Sequence, residues 1–204
     1  MNKNHKNFRL TKEGRFEVLG LISIALPGPW WWHTEDLNDL KARGAIFRCH
    51  IEGQNLDVGY LLVADVSADP QEPNIAPVNE LDVDQLDRVM EQEVRREIVS
   101  DGREMIKWMS SHLNETSAGK ALVTAYIARD QGKDRQHIDT RIPARGRKVI
   151  LAACFDVDRA SELASPIYAA MKGAVLFDAE NPDPLCETKP KPEKVVKVKS
   201  KAKK

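Results

Sequence analysis

Phe16-Glu17-Val18-Leu19-Gly20-Leu21-Ile22-Ser23-Ile24-Ala25-Leu26-Pro27-Gly28-Pro29-Trp30-Trp31-Trp32 is the stretch on which the reading of the chain turns. Its first half is strand-like. Phe16, Val18, Gly20, Ile22, Ile24 and Leu26 fall on one face, and Leu19, Leu21 and Ala25 on the other. Apolar residues on both faces are the pattern of a central strand. Pro27 and Pro29 each remove a backbone donor and fix φ, so regular structure is predicted to stop at Leu26. The stiff corner beyond it carries three of the four tryptophans.

Working outward, Phe8-Arg9-Leu10 and the turn Lys12-Glu13-Gly14-Arg15 make a short strand leading into this one. After the corner, Thr34 followed by Glu35 and Asp36 reads as the N-cap of a short helix. Leu37 and Leu40 would hold that helix down, and Gly44 would close it. Ala45–Glu52 and Asp57–Asp65 are predicted strands joined by the turn Gly53-Gln54-Asn55. The segment 67–80 has three prolines and no periodicity, and such a long connection reads as a functional or mobile loop.

Residues 81–99 carry the strongest helical signal. Leu86, Met90, Val94 and Ile98 recur every four residues, reinforced by Val89, and Asp82 with Gln85 fits a capping box. Four strands follow: Glu104–Leu113, Lys120–Arg129, Arg135–Ile142 and Lys148–Phe155, separated by turn-forming residues. Asp156–Phe177 reads as a second helical region whose main helix starts at Ser165-Pro166, with Ile167, Ala170, Met171, Ala174 and Val175 on its apolar face. Strands joined by short turns must pair antiparallel. The predicted class is therefore α+β, an antiparallel sheet with packed helices in an α/β/α sandwich. The predicted organisation is a flexible N-terminus 1–7, one domain 8–177 and a disordered basic tail 178–204.

A chain of 204 residues with 42% hydrophobic content supports one domain with a buried core. Its formal charge of zero hides an asymmetry. Residues 187–204 hold eight lysines and two glutamates, about +6, which leaves 23 basic and 29 acidic residues, about −6, in 1–186. Cys49, Cys154 and Cys186 lack the spacing of a disulfide framework or zinc site, which points to a reducing compartment. Val18–Trp32 follows a basic N-terminus but lacks a cleavage site and is too short to span a membrane. The chain is therefore expected to be soluble and cytoplasmic, without a transmembrane segment.

Three features together resemble the PsbP-like superfamily, which takes in PsbP, DcrB and the Mog-type Ran-binding proteins. They are the strand 22–26 running into the proline-tryptophan corner 27–30, the long mid-chain helix 81–99, and the strand 148–155 leading into a final helix. The resemblance covers roughly residues 8–177; the three adjacent tryptophans and the loop 67–80 depart from the family pattern. It implies a binding or assembly role without shared chemistry.

Catalytic and metal motifs are weak. His5, His33, His50, His112 and His137 have no metal-ligand spacing, and Cys49 and His50 would point to opposite faces of a strand. Ser110-Ser111-His112 lacks the glycine-flanked elbow of a hydrolase. Asp65 and Asp139 read as exposed or ion-paired strand residues, and Arg141, Arg145, Arg147 and Lys148 as a solvated hairpin tip. No cofactor and no metal are expected. Three consecutive rings cannot all face inward, so Trp30, Trp31 and Trp32 with His33 form the binding hypothesis, alongside loop 67–80. The expected function is a non-catalytic protein-binding or assembly module with an unidentified protein partner. Two alternatives stand beside it: a nucleic-acid-associated protein, and a hydrolase whose site is assembled from distant strands.

Lys197, Lys199, Lys201, Lys203 and Lys204 carry the nucleic-acid alternative. Phosphate neutralisation by lysines is salt-sensitive and indifferent to base sequence. The acidic body competes for these lysines, so binding is expected to be weak. In a gel-shift series from low to physiological salt, the full chain should be retarded only at low salt. The chain truncated after Cys186 should not be retarded, and equal retardation of both would remove the tail as the binding element.

Overall fold

The computed structural model describes residues 6–28, 31–50, 57–70, 82–116, 119–144 and 146–176. The strands are β1 (Phe8–Leu10), β2 (Phe16–Val18), β3 (Ile22–Ile24), β4 (Trp31–Asn38), β5 (Arg43–His50), β6 (Asp57–Asp65), β7 (Glu104–Thr116), β8 (Gly119–Asp130), β9 (Lys133–Ala144), β10 (Arg147–Asp156) and β11 (Val175–Leu176). Helix α1 spans Val83–Ser100 between β6 and β7. A 3-10 turn, Val157–Arg159, leads from β10 into α2, Ala160–Lys172. The strands form a small sheet, β1-β2-β3-β11, and a large one, β4-β5-β6-β10-β9-β8-β7. The recorded pairings are all antiparallel, as the short connections require.

Alternation along the strands gives the large sheet two different faces. Ala45, Phe47, Leu61, Val63, Ile138, Leu151, Ala153 and Phe155 join one core cluster with Val18, Ile22 and Ile24 of the small sheet and Leu163, Ile167 and Met171 of α2. The opposite face meets α1 over β7 and β8: Leu86 and Met90 pack on Leu122, and Val94 and Ile98 on Tyr126 and Ala128. Phe8 and Phe16 close on Phe47, with ring centroids 6.1 and 5.0 Å away, and join the two sheets. Gly59 lies against β10; a Cβ there would come within 2.6 Å of the Cys154 carbonyl oxygen.

Helix α1 is seated by the expected stripe, Leu86, Met90, Val94 and Ile98. The Asp82 carboxylate caps it by accepting from the Gln85 amide at 2.7 Å. Val89 is 40% exposed and does not reinforce that face. The four strands expected after it appear as β7–β10.

Four expectations are corrected. The stretch from Phe16 does not form one long strand, because Leu19 and Gly20 adopt positive φ, 55° and 62°. The Leu21 amide donates to the Val18 carbonyl at 3.0 Å, closing a tight turn that makes β2 and β3 a hairpin. The helix expected from Thr34 to Gly44 is instead β4 and its turn into β5. Asp39, read as helical, organises that turn: its carboxylate accepts from the Lys41 and Ala42 amides at 2.5 and 2.9 Å. Helix α2 begins at Ala160, not at Ser165, because burial of Leu163 gives it an earlier anchoring turn that accommodates Pro166. Val175 belongs to β11, paired with Ser23, and not to the helix.

Lys6 and Asn7, ahead of β1, are tied to the fold: their amides donate to the Asp36 carboxylate at 2.9 and 3.1 Å. The turn 53–55, most of the loop 67–80, Phe177 and the tail 178–204 lie outside the described residues.

Edge strand β7 carries two register irregularities, between Met105 and Lys107 and between Trp108 and Ser110. The extra residues Ile106 and Met109 are exposed there. As Val94 is 3% exposed under α1, Val94→Asp would place an unpaired charge in that interface. It should destabilise the fold by about 3–5 kcal/mol in denaturant unfolding, and an unchanged midpoint would remove the assignment.

Candidate binding face

Register aligns one row of side chains across the large sheet on the face that carries α1. From β4 to β7 the row reads His33, Arg48, Tyr60, Cys154, His137, Tyr126 and Trp108. The next row reads Glu35, Ile46, Leu62, Ala152, Asp139, Thr124 and Ser111. Helix α1 seats on the β7–β8 end, where the Asp87 carboxylate accepts from the Trp108 indole at 3.0 Å and from the Ser111 amide at 2.6 Å.

At the β4–β6 end the same face forms a groove of about 340 Å³, lined by Leu37, Asp39, Ala42, Ile46, Arg48, Tyr60 and Leu62. Its lining is mostly aliphatic, with charge near Asp39 and Arg48. Arg48 is held by Glu35 at 2.8 Å. A larger cleft of about 580 Å³ lies beside the β8–β9 turn, lined by Arg129, Lys133, Asp134, Asp156 and Asp158 among others. Most of its charges are paired, Arg129 with Asp134 at 2.7 Å and Asp156 with Arg135 at 3.6 Å. Of these two, the smaller groove combines an apolar floor with a few oriented polar groups, the make-up of a recognition site.

In the middle of the row the His137 Nε2 lies 3.8 Å from the Cys154 Sγ, and the His137 ring stacks on Tyr126 at 4.7 Å and 5°. Both partners are nearly sealed from solvent, at 8% and 3% exposure. Burial, helped by the positive charge of Arg103 and Arg135, drives the imidazole down to about 4. Burial pushes the Cys154 thiol up. At neutral pH this is a neutral thiol beside a neutral imidazole, not the thiolate pair of a cysteine nucleophile. The Tyr60 phenol is likewise pushed up, first by burial and then by neighbouring Cys154 and Asp139.

The residues singled out in sequence are dispersed. Trp32 turns toward the principal core and its indole donates to the Pro27 carbonyl at 3.0 Å. His33 is exposed and stands opposite Arg48 at the groove. Trp30, the Trp31 side chain and the five tail lysines lie outside what is described. Asp65 bonds the Ser67 hydroxyl at 2.6 Å and ion-pairs with Arg147 at 3.6 Å. By strand alternation it faces away from Asp139. The Ser111 hydroxyl donates to the Val123 carbonyl, and His112 turns to the other face, 3.4 Å from the Tyr168 hydroxyl. The register does shift between Cys49 and His50. Among the described residues no cluster of three or more His, Cys, Asp or Glu is placed to hold a metal ion. Cys49 and Cys154 are free thiols. No helix among the described residues is long and apolar enough to cross a membrane.

The protein has a PsbP-like fold. The solution structure of cyanobacterial PsbP (CyanoP) from Synechocystis sp. PCC 6803 is similar to it with a TM-score of 0.55 at 12% identity, over 87% of this chain and 96% of that one. A Pseudomonas aeruginosa protein of unknown function aligns with a TM-score of 0.42 at 12% identity, over 83% of this chain and 96% of that one. No family model and no curated protein matches the chain. At such identity the likeness is one of fold, and no residue role carries across.

The buried His137 generates a pH dependence with a definite sign. Its pKa is about 4 in the fold against 6.5 for an unperturbed imidazole. Between those values the unfolded chain binds the extra proton, so this contribution is complete above pH 6.5 and is lost as pH falls toward 4. It amounts to ~3 kcal/mol. Urea unfolding of the protein and of His137→Gln across this range should show a shallower slope for the variant; parallel curves would mean that His137 titrates normally.

Proposed function

We propose that the chain is a non-catalytic protein-binding or assembly module that works in the cytoplasm through the groove end of its large sheet. On this reading the two-sided cover is an α/β/α sandwich in which α1 occupies one end of a face and a partner the other. The observation that carries it is the aliphatic groove of about 340 Å³ beside β4. A preformed apolar recess rimmed by charge gains from excluding water, while the polar rim sets orientation. His33 pairs in register with the groove residue Arg48, which supports including His33 in the proposed contact region.

Against the hydrolase alternative, the Cys154–His137 contact is buried and neutral, and it offers neither an activated nucleophile nor a substrate path. The reading is tested by retention of proteins from native lysate on the immobilised chain. Leu62→Lys, in the groove, and Trp31→Ala, at the corner, should each reduce the same retained proteins about tenfold, with melting temperatures within a few degrees of the unaltered chain. Retention unchanged by both would place the contact elsewhere.

A further inference from the structure

We propose that the groove receives Leu40 from a second copy of this chain, so that two copies exchange hairpin tips across a two-fold axis. This names the partner of the face described above and rests on that reading. The starting observation is Leu40 itself, 98% exposed at the tip of the β4–β5 turn and the most exposed large hydrophobic among the described residues.

The turn is held from several sides. Asp39 accepts from the Lys41 and Ala42 amides, the Asp39 amide donates to the Ala42 carbonyl at 3.0 Å, and the Lys41 amine lies 3.4 Å from the Asp69 carboxylate. Leu40 is thus presented on an ordered support, as a contact anchor must be for its ordering to add little to the loss on binding.

The socket adjoins the knob. Ala42 and Leu37, which flank the tip, line the groove, and Ile46 and Leu62 complete its aliphatic lining. The volume of about 340 Å³ admits a leucine side chain. A knob and a socket on one patch are self-complementary, which is the requirement of an isologous pair: each copy gives and receives the same contact, and the assembly closes at two.

Charge agrees with this occupant. Around the patch stand three carboxylates, Glu35, Asp39 and Asp69, and two cations, Lys41 held by Asp69 and Arg48 held by Glu35. Their sum is −1, a small part of the about −6 carried by residues 1–186, so the local repulsion between two copies is weak. Opposite signs on each patch also let a cation of one copy approach a carboxylate of the other. A contact built from one hairpin and one groove is small, which points to a weak dimer.

The test is sedimentation equilibrium of the purified full chain, in which monomer and dimer should exchange with a Kd of roughly 10–100 µM. Leu40→Asp, at a solvent-exposed position, should raise Kd at least tenfold without moving the melting temperature. Leu62→Lys should weaken pairing from the socket side. Mixing the two variants should restore a dimer, because one intact knob meets one intact socket while the introduced carboxylate faces the introduced amine. A chain that stays monomeric throughout, or a Leu40→Asp variant that dimerises unchanged, overturns the proposal. A monomeric chain whose lysate retention is still abolished by Leu62→Lys overturns self-pairing and leaves the binding reading intact. A dimer that responds as expected, with retention unaffected, supports pairing and removes only the capture of other proteins.

Discussion

The side-chain amide of Asn7 donates to the Leu37 carbonyl, the Asn38 side chain and the Gly44 carbonyl, at 2.8, 3.1 and 2.9 Å. Its backbone carbonyl accepts from the Leu19 amide at 2.6 Å. One fully buried residue thus ties the β2–β3 turn to the base of the β4–β5 hairpin. Apolar packing between the sheets, led by Phe8, Phe16 and Phe47, is strong but has little directional preference. The Asn7 bonds supply direction, and they are made where water cannot substitute for a lost partner. The position of Leu37, and with it one wall of the groove, follows from them.

Around that junction the large sheet divides its labour. One face is committed to the core with the small sheet and α2, and α1 seals one end of the other. The central part of the second face holds Tyr60, Cys154, His137 and Tyr126, groups that would be reactive in water and are quiet here because burial favours their neutral forms. Chemistry-bearing residue types on a single row therefore do not amount to a catalytic site. The groove end is different, since its polar groups stand at the rim and its floor is aliphatic.

How much of this was legible in the sequence depended on how local each cause is. The α1 stripe was readable because four apolar residues at a spacing of four stand among charged neighbours. The strands β7 to β10 were readable because short turn-forming segments separate them. The segment 34–44 misled because Thr34, Glu35 and Asp36 imitate a helix start, whereas pairing with β5 decides the matter from elsewhere in the chain. The break at Leu19 was hidden because a leucine at positive φ contradicts its own preference. The Cys154–His137 contact and the groove are products of register across strands far apart in sequence. No spacing rule could have found them, although the isolated apolar Leu40 next to a turn-forming Asp39 was a readable trace of the hairpin.

The two irregularities in β7 bear on what happens when many copies of this chain are crowded together. A fibril grows when each sheet offers a flat strand at both ends, so that every added copy presents a fresh template. Here one end is crimped, with Ile106 and Met109 displaced from the regular ladder. A copy that paired its own β4 with β4 would leave a crimped β7 at each outer end of the joined sheet. Edge-to-edge growth of the large sheet is therefore disfavoured at its β7 end.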